Sequence, residues 1–140
     1  MVILDTNVIS ELMKKSADAR VQSWLDNIPN HQVYTSAITK AEIEYGVSIL
    51  PKGTKKKRIE ETVSAVFKLF SGQVLPFTTE SATHFARIKS DRKQIGRPIN
   101  YADAQIASIA CQHNYQLATR NIMDFEDIDG LQSINPWDKE

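Results

Sequence analysis

The chain has 140 residues, of which 41% are hydrophobic and 24% charged, a composition typical of one globular domain over residues 1–140. Its 17 lysines and arginines balance 17 aspartates and glutamates, so binding of a nucleic acid requires a local basic patch. No apolar run approaches the ~20 residues that cross a membrane, and Cys111 is the only cysteine. These properties exclude a membrane protein and a disulfide scaffold, and we expect a reduced, cytoplasmic location.

Short apolar runs alternate with helical periodicity along the chain. Strands are predicted at 2–4, 32–35, 74–77, 115–118 and 131–134. Helices are predicted at 8–13, 18–26, 38–50, from Lys55 through Phe70, at 79–94 and in the stretch PINYADAQIASIACQH. This alternation favours an α/β fold in which helices cover both faces of a central, mainly parallel sheet.

The carboxyl ends of the strands are where ligands bind in such sheets. Asp5 ends the first predicted strand, and Asn121 follows the fourth. We therefore expect a functional site at that edge.

Two carboxylates lie on helix faces that the pattern otherwise makes apolar. At about 100° per residue, Asp103 falls between Ala107 and Ala110, and the opposite face carries Gln105, Ser108 and Gln112. In the first third of the chain, Glu42 falls within an apolar arc formed by Ile38, Ala41, Tyr45 and Ile49. Glu44 lies on the polar side and is predicted to be a surface residue.

Each of these acidic residues also has a purely structural interpretation. Asp5 is a suitable helix N-cap, Asp103 in a first helical turn gains ~0.5 kcal/mol from the helix dipole, and Glu42 at the edge of its arc reaches water. As a cluster, two carboxylates about 5 Å apart repel by roughly 3 kcal/mol at an effective dielectric of 20. A divalent cation with hard oxygen ligands, Mg²⁺ or Mn²⁺, removes that repulsion and suits phosphodiester cleavage.

Four sequence blocks in order resemble the PIN-domain ribonucleases, and the resemblance is nearest to the VapC/FitB-type toxins of toxin–antitoxin systems. The blocks are LDTNVISEL, TSAITKAEIEYG, PINYADAQIASIA and LATRNIMDF, followed by a closing INPW. The resemblance implies a three-layer α/β/α PIN-like fold. It also implies a Mg²⁺-dependent endoribonuclease that cleaves RNA through a metal-activated water, with one or two ions left open.

The resemblance also assigns roles to particular residues. Asp5, Glu42 and Asp103 match the acidic positions of the family, and Asp5 and Asp103 are the expected metal ligands. Many relatives have Asp at the fourth position, where this chain has Asn121, and Asp124 is the alternative carboxylate.

Further polar residues surround the predicted site. Thr6, Asn7 and Thr119 are expected to orient Asp5 or to bind phosphate, with helix capping and an ordinary loop hydroxyl as the alternatives. Arg97 and Arg120 are predicted to contact phosphate.

The expected partners are an RNA substrate, a VapB-type antitoxin in a heteromeric complex, and operator DNA only through that antitoxin. A surplus of apolar residues on the Lys55–Phe70 helix also predicts a homodimer.

Two other functional classes are alternatives to the nuclease. A weakly active or inactive PIN-fold subunit of a DNA-binding regulatory complex is consistent with Asn121 replacing a carboxylate. A phosphate-accepting receiver domain needs a lone Asp after a central strand and a Lys after a later one, and neither Thr35-Ser36 nor Thr119-Arg120 supplies them. The sequence does not identify the RNA or the cleavage site.

Overall fold

The computed structural model has a central sheet of five parallel strands, as the alternation predicted. The structure describes residues 1–138, so the last two residues of the predicted domain 1–140 lie outside it. The strands are β1 (Val2–Leu4), β2 (Val33–Ser36), β3 (Val74–Leu75), β4 (Gln116–Ala118) and β5 (Ser133–Ile134). Their order in the sheet is β3-β2-β1-β4-β5.

Helices cover both faces of this sheet. They are α1 (Thr6–Leu12), α2 (Ala19–Asp26), α3 (Ala37–Ser48), α4 (Thr54–Leu69), α5 (Thr79–Gln94) and α6 (Tyr101–His113), with short 3₁₀ helices at Asn30–Gln32 and Ile122–Phe125. Within residues 1–138, none of the helices combines the length and the apolar character needed to span a bilayer.

The central strand β1 divides the apolar interior into two cores, because successive side chains of a strand point to opposite faces. Val2 and Leu4 join the core beneath α1 to α4, whereas Ile3 joins the core beneath α5 and α6. All three are at most 3% exposed. The three-layer α/β/α architecture is therefore confirmed.

The edge strands are shorter than predicted. The predicted strand at 74–77 ends at Leu75, because Pro76 has no N–H to donate to a neighbouring strand. The strand predicted at 131–134 is paired only over Ser133–Ile134. Their brevity leaves little unpaired backbone at the edges of the sheet.

The predicted polar face of α6 is wrong at Ser108. Ser108 is fully buried, as are Ala107 and Ala110 on the side where Asp103 was placed. Its hydroxyl donates to the carbonyls of Ala104 and Gln105 within the helix, so burial leaves no unsatisfied group. Nearly the whole circumference of α6 is enclosed, by the sheet on one side and α5 on another.

The predicted apolar arc on α3 is also wrong. Tyr45 and Ile49 are 66% and 65% exposed, and the buried line consists of Thr39, Ile43 and Val47, spaced four residues apart. Apolar side chains lie on both sides of α3, so their identity alone did not show which side faces the core. Glu42 consequently lies on the exposed rim of the helix rather than inside the core.

We predict that Ile43→Ala and Ile49→Ala differ sharply in stability, although both remove the same atoms from one helix. Ile43→Ala should lower the free energy of unfolding by about 2–4 kcal/mol through lost burial and the cavity left behind. Ile49→Ala should change it by less than about 0.5 kcal/mol. Urea denaturation of the two variants with equal m-values tests this, and equal losses would contradict the packing of α3.

Candidate functional site

Asp5 is the centre of the predicted site and is only 4% exposed. It follows β1 directly and is the N-cap of α1, where its Oδ1 accepts a hydrogen bond from the Thr6 N–H at 2.8 Å. Its Oδ2 accepts from the Thr119 hydroxyl at 2.8 Å and from Asn7 Nδ2 at 3.2 Å. The capping interpretation and the site interpretation therefore both hold, because one carboxylate does both.

Thr119 and Asn7 connect the ends of the two central strands, β1 and β4. The Thr119 hydroxyl, which donates to Asp5, also accepts the Asn121 N–H at 3.1 Å. Asn7 Oδ1 accepts the Arg120 N–H at 3.1 Å. These hydrogen bonds fix the loop after β4 against the start of α1, so Thr6, Asn7 and Thr119 orient Asp5 in this structure.

Glu42 is connected to the same turn through Thr6. The Thr6 hydroxyl donates to Glu42 Oε1 at 2.8 Å, and Thr39 Oγ1 lies 3.2 Å from that hydroxyl. Ser36 caps α3 by accepting the Thr39 N–H at 3.1 Å. The exposed carboxylate of Glu42 is thus held at the site by a hydrogen bond from Thr6, which lies 36 residues earlier in the sequence.

Asp103 lies in the first turn of α6 and is half-buried. The N-cap residue Asn100 holds it, accepting the Asp103 N–H through Oδ1 at 2.8 Å and donating from Nδ2 to Asp103 Oδ2 at 3.1 Å. Asp5 lies at the N-terminus of α1 and Asp103 at the N-terminus of α6. The partial positive charges of these two helix ends offset some of the negative charge of the carboxylates.

The acidic side chains share an electrostatic environment. The pKa of Asp103 is raised to about 6, most of all by burial and also by the negative charges of Asp5, Asp124 and Glu42, while the hydrogen bond from Asn100 opposes the shift. Burial also raises the pKa of Asp5; the hydrogen bonds from Thr119 and Thr6 oppose this, and the charge of Glu42 adds to it. Asp5, Glu42, Asp103 and the alternative carboxylate Asp124 therefore lie close enough for their charges to interact.

Asn121 and Asp124 occupy neighbouring positions on the segment after β4. Asn121 precedes the 3₁₀ helix Ile122–Phe125, and its carbonyl accepts the Asp124 N–H at 3.0 Å. The negative charge of Asp124 acts on Asp103. Asp124 therefore contributes negative charge near Asp103, whereas Asn121 contributes none.

Arg92 was missed by the sequence analysis, and it holds this segment in place. It is 4% exposed, and its guanidinium donates to three backbone carbonyls, those of Arg97 at 2.7 Å and of Asp124 and Glu126 at 3.0 Å each. A buried cation needs such acceptors to offset its lost hydration. Arg92 lies four residues after Ile88, on the same inner face of α5. This helical spacing is the sequence pattern that could have predicted its burial.

The two arginines predicted to contact phosphate are both engaged with the protein. Arg97 pairs with Asp127 at 2.7 Å and with Glu126 at 3.3 Å, and the pKa of its guanidinium is raised by these partners. The guanidinium carbon of Arg120 lies 4.8 Å from the ring centroid of Trp137. Arg120 is exposed at the rim, whereas Arg97 supports the segment that carries Asp124.

The donor set at this edge fits a hard divalent cation. Within residues 1–138, no three acidic, histidine or cysteine side chains are close enough to enclose a metal ion as they stand. Mg²⁺, however, keeps several waters and takes only one or two protein carboxylates directly. Burial first, and neighbouring negative charge second, raise the pKa values of Asp5 and Asp103, and a bound cation would offset both effects.

Comparison with known proteins agrees with the geometry. The profile of the PIN domain matches residues 2–131. The toxin FitB of Neisseria gonorrhoeae is 41% identical over 138 residues, covering 98% of this chain and 99% of FitB. The VapC ribonuclease Y4jK of Sinorhizobium fredii is 37% identical over 139 residues, covering 99% of each chain.

Solved structures show the same similarity. FitAB bound to an IR36 DNA fragment superposes with a TM-score of 0.92 at 41% identity, covering 100% of this chain and 98% of that one. VapBC2 from Rickettsia felis, bound to a DNA fragment from its promoter, superposes with a TM-score of 0.76 at 27% identity, covering 99% and 100%. The chain belongs to the PIN-domain family and is of the VapC/FitB type.

We predict that Asp103→Asn stabilises the metal-free protein at high pH but not at low pH. The folded-state pKa of about 6 exceeds the ordinary value of 3.8, so folding is disfavoured as pH rises through that interval and Asp103 ionises. In EDTA, the melting temperature of Asp103→Asn minus that of the parent should therefore be near zero at pH 4 and clearly positive at pH 8. The exposed Asp91→Asn is the control, and a difference independent of pH would contradict the cluster.

We predict that Arg92→Met lowers the free energy of unfolding by at least about 2 kcal/mol, because buried carbonyls lose a charged donor. The exposed neighbour Lys93→Met should change it by less than about 0.5 kcal/mol. Urea denaturation compares the two variants, and limited proteolysis should cut the Arg92→Met protein faster in the segment 120–130. Equal stability of both variants would show that Arg92 does not hold that segment.

Proposed function

We propose that this protein is a Mg²⁺-dependent endoribonuclease toxin of a VapBC-type toxin–antitoxin system, with Mn²⁺ as an alternative ion. The observation that carries the proposal is the hydrogen-bonded arrangement of Asp5, Glu42 and Asp103 at the carboxyl edge of the sheet, where Thr119 and the Thr6 N–H fix Asp5, the Thr6 hydroxyl fixes Glu42 and Asn100 fixes Asp103. The similarity to proteins named VapC ribonuclease and toxin FitB supports the same conclusion. Hydrolysis of RNA phosphodiesters is the reaction that such a site suits.

In this proposal Asp5 and Asp103 hold the ion. When bound, Mg²⁺ supplies a stronger nucleophile from water and neutralises charge that develops on the phosphate. Asp5 is fixed for this role by Thr119, Asn7 and the Thr6 N–H, so it loses no side-chain freedom on binding.

Glu42 is proposed as the proton acceptor. Its Oε1 accepts from Thr6, which fixes the carboxylate and leaves Oε2 to take a proton from the attacking water as the water oxygen bonds to phosphorus. The phosphorus–oxygen bond of the RNA then breaks, and the leaving oxygen takes a proton from solvent. From the segment after β4, Asp124 adds negative charge near Asp103, and Asn121 is proposed to offer its amide to water or phosphate. Among the predicted basic residues, Arg120 is placed at the rim for phosphate contact.

An antitoxin is the proposed protein partner. The structures that this chain resembles include the toxin–antitoxin complexes FitAB and VapBC2, both with DNA bound. We propose that operator DNA is bound only through that antitoxin, as the resemblance to these complexes implies. Homodimerisation also stays a prediction; Leu69, 81% exposed beside Val66 and Phe70, is the surface that supports it.

A second candidate is an inactive or weakly active subunit of a DNA-binding regulatory complex. It is favoured by Asn121, which brings no charge to the position where many relatives have Asp. Because the negative charge of Asp124 still acts on Asp103, we regard the nuclease as the better supported function.

We expect the purified protein to cleave total RNA in Mg²⁺ and not in EDTA. Asp5→Asn and Asp103→Asn should each lower cleavage by at least about 100-fold, which exceeds the ~10–100-fold cost of changing groups beyond the metal ligands. Gel analysis with sequencing of the cut ends measures this, with Asp91→Asn as the matched control. Folded Asp5→Asn and Asp103→Asn proteins that cleave like the parent would refute the site, and a parent that binds its antitoxin without cleaving RNA would establish the second candidate.

A further inference from the structure

Tyr101 is the exposed end of a row of three aromatic side chains. The ring centroids of Phe77 and Phe85 lie 5.9 Å apart with an interplanar angle of 88°. Those of Phe85 and Tyr101 lie 5.8 Å apart with an angle of 14°, so these two rings are stacked. Phe77 and Phe85 are partly buried, whereas Tyr101 is 70% exposed. The row therefore extends from the interior to the surface, and its two partly buried rings support the exposed ring of Tyr101.

This row lies at the same edge of the sheet as the carboxylates. Phe77 comes just after the carboxyl end of β3, and Tyr101 is the first residue of α6, two positions before Asp103. The cap between Asn100 and Asp103 fixes the start of this helix. The position of the Tyr101 backbone relative to the site is thereby fixed as well.

Lys89 gives this surface a positive charge. Its Nζ lies 4.5 Å from the ring centroid of Tyr101 and donates to the carbonyl of Ile99. The ammonium group is thus held between α5 and the segment that leads into α6. An aromatic ring with a cation beside it is the combination by which proteins bind single-stranded nucleic acids without reading their sequence.

We propose that Tyr101 is a stacking subsite for a nucleobase of single-stranded RNA, with Lys89 beside it for the backbone phosphate. The inference rests on the proposed ribonuclease function and adds a base-stacking position at the start of α6 to the proposed site. An unpaired base can stack on the ring, whereas a paired base is covered by its neighbours in the helix. Because Phe85 already restrains the ring, stacking costs little side-chain entropy. The subsite retains RNA while the adjacent phosphodiester reaches Asp5 and Asp103.

The test is a binding measurement in an Asp5→Asn background, in Mg²⁺, so that RNA is retained without being cut. Fluorescence anisotropy gives the Kd of a short labelled single-stranded oligoribonucleotide and of a counterpart built from stable abasic nucleotides. Tyr101→Ala should weaken binding of the base-bearing oligonucleotide by about 5- to 100-fold, as for the loss of one base–aromatic stack. It should leave the abasic oligonucleotide nearly unaffected.

Matched variants separate stacking from structural damage. Tyr101→Phe and Tyr101→Trp should bind within about threefold of the parent, since both keep a π-face. Ile49→Ala, at the end of α3 away from the carboxylates, is the control for truncating an exposed apolar side chain, and it should bind RNA like the parent. Each variant is checked for an unchanged melting temperature and oligomeric state.

Several outcomes would overturn the inference. It fails if Tyr101→Ala binds both oligonucleotides like the parent, or if all Tyr101 variants lose affinity equally. It also fails if Tyr101→Ala loses only its affinity for the antitoxin, which would assign the ring to that partner. RNA cleavage by the otherwise unchanged parent, measured alongside, shows whether the nuclease function stands when the subsite falls. A parent that binds neither oligonucleotide nor cleaves RNA would refute both.

Discussion

Uncompensated negative charge at the carboxyl edge of the sheet is the constraint on which the site depends. Parallel strands bring their carboxyl ends to one edge, and the helices that follow begin there with their N–H groups facing it. Asp5 is buried at the centre of that edge and receives three hydrogen bonds, yet burial still raises its pKa. Hydrogen bonds and helix ends reduce the cost of gathering the carboxylates without removing it, which leaves a place for a cation.

Much of the surrounding structure keeps these carboxylates in place from behind. Thr119 ties the end of β4 to Asp5, Thr6 ties α3 to α1 through Glu42, and Asn100 fixes Asp103. The segment with Asp124 is different, because it is held by the guanidinium of Arg92 rather than by a neutral side chain. A buried cation therefore secures the segment that carries Asp124, and Arg97 secures its outer side through Glu126 and Asp127.

The sequence predicted the sheet and the principal carboxylates because both depend on local pattern. Asp103 was identified as polar on an apolar face and Asp5 by its position after a strand, and neither inference needs long-range packing. Glu42 was found for a mistaken reason, since the arc that includes Tyr45 and Ile49 faces solvent. The side of α3 that packs is decided by the tertiary arrangement. Arg92, like Asp103, is a charged residue on a helix face that is otherwise buried. The many charged residues of α5 make that face difficult to recognise from the sequence.

The same surplus of charge explains how such a site can be both activated and inhibited. RNA is a polyanion, and an acidic pocket repels it until a cation reverses the local charge, so a bound Mg²⁺ would assist substrate binding as well as hydrolysis. Any other cation that reaches Asp5 and Asp103 competes for the same position. A basic side chain of an antitoxin could therefore inhibit the proposed nuclease by replacing the ion, without any change of fold. Because the site is held by hydrogen bonds rather than by the ion itself, its geometry would survive the exchange, and release of the antitoxin would restore a site ready for metal.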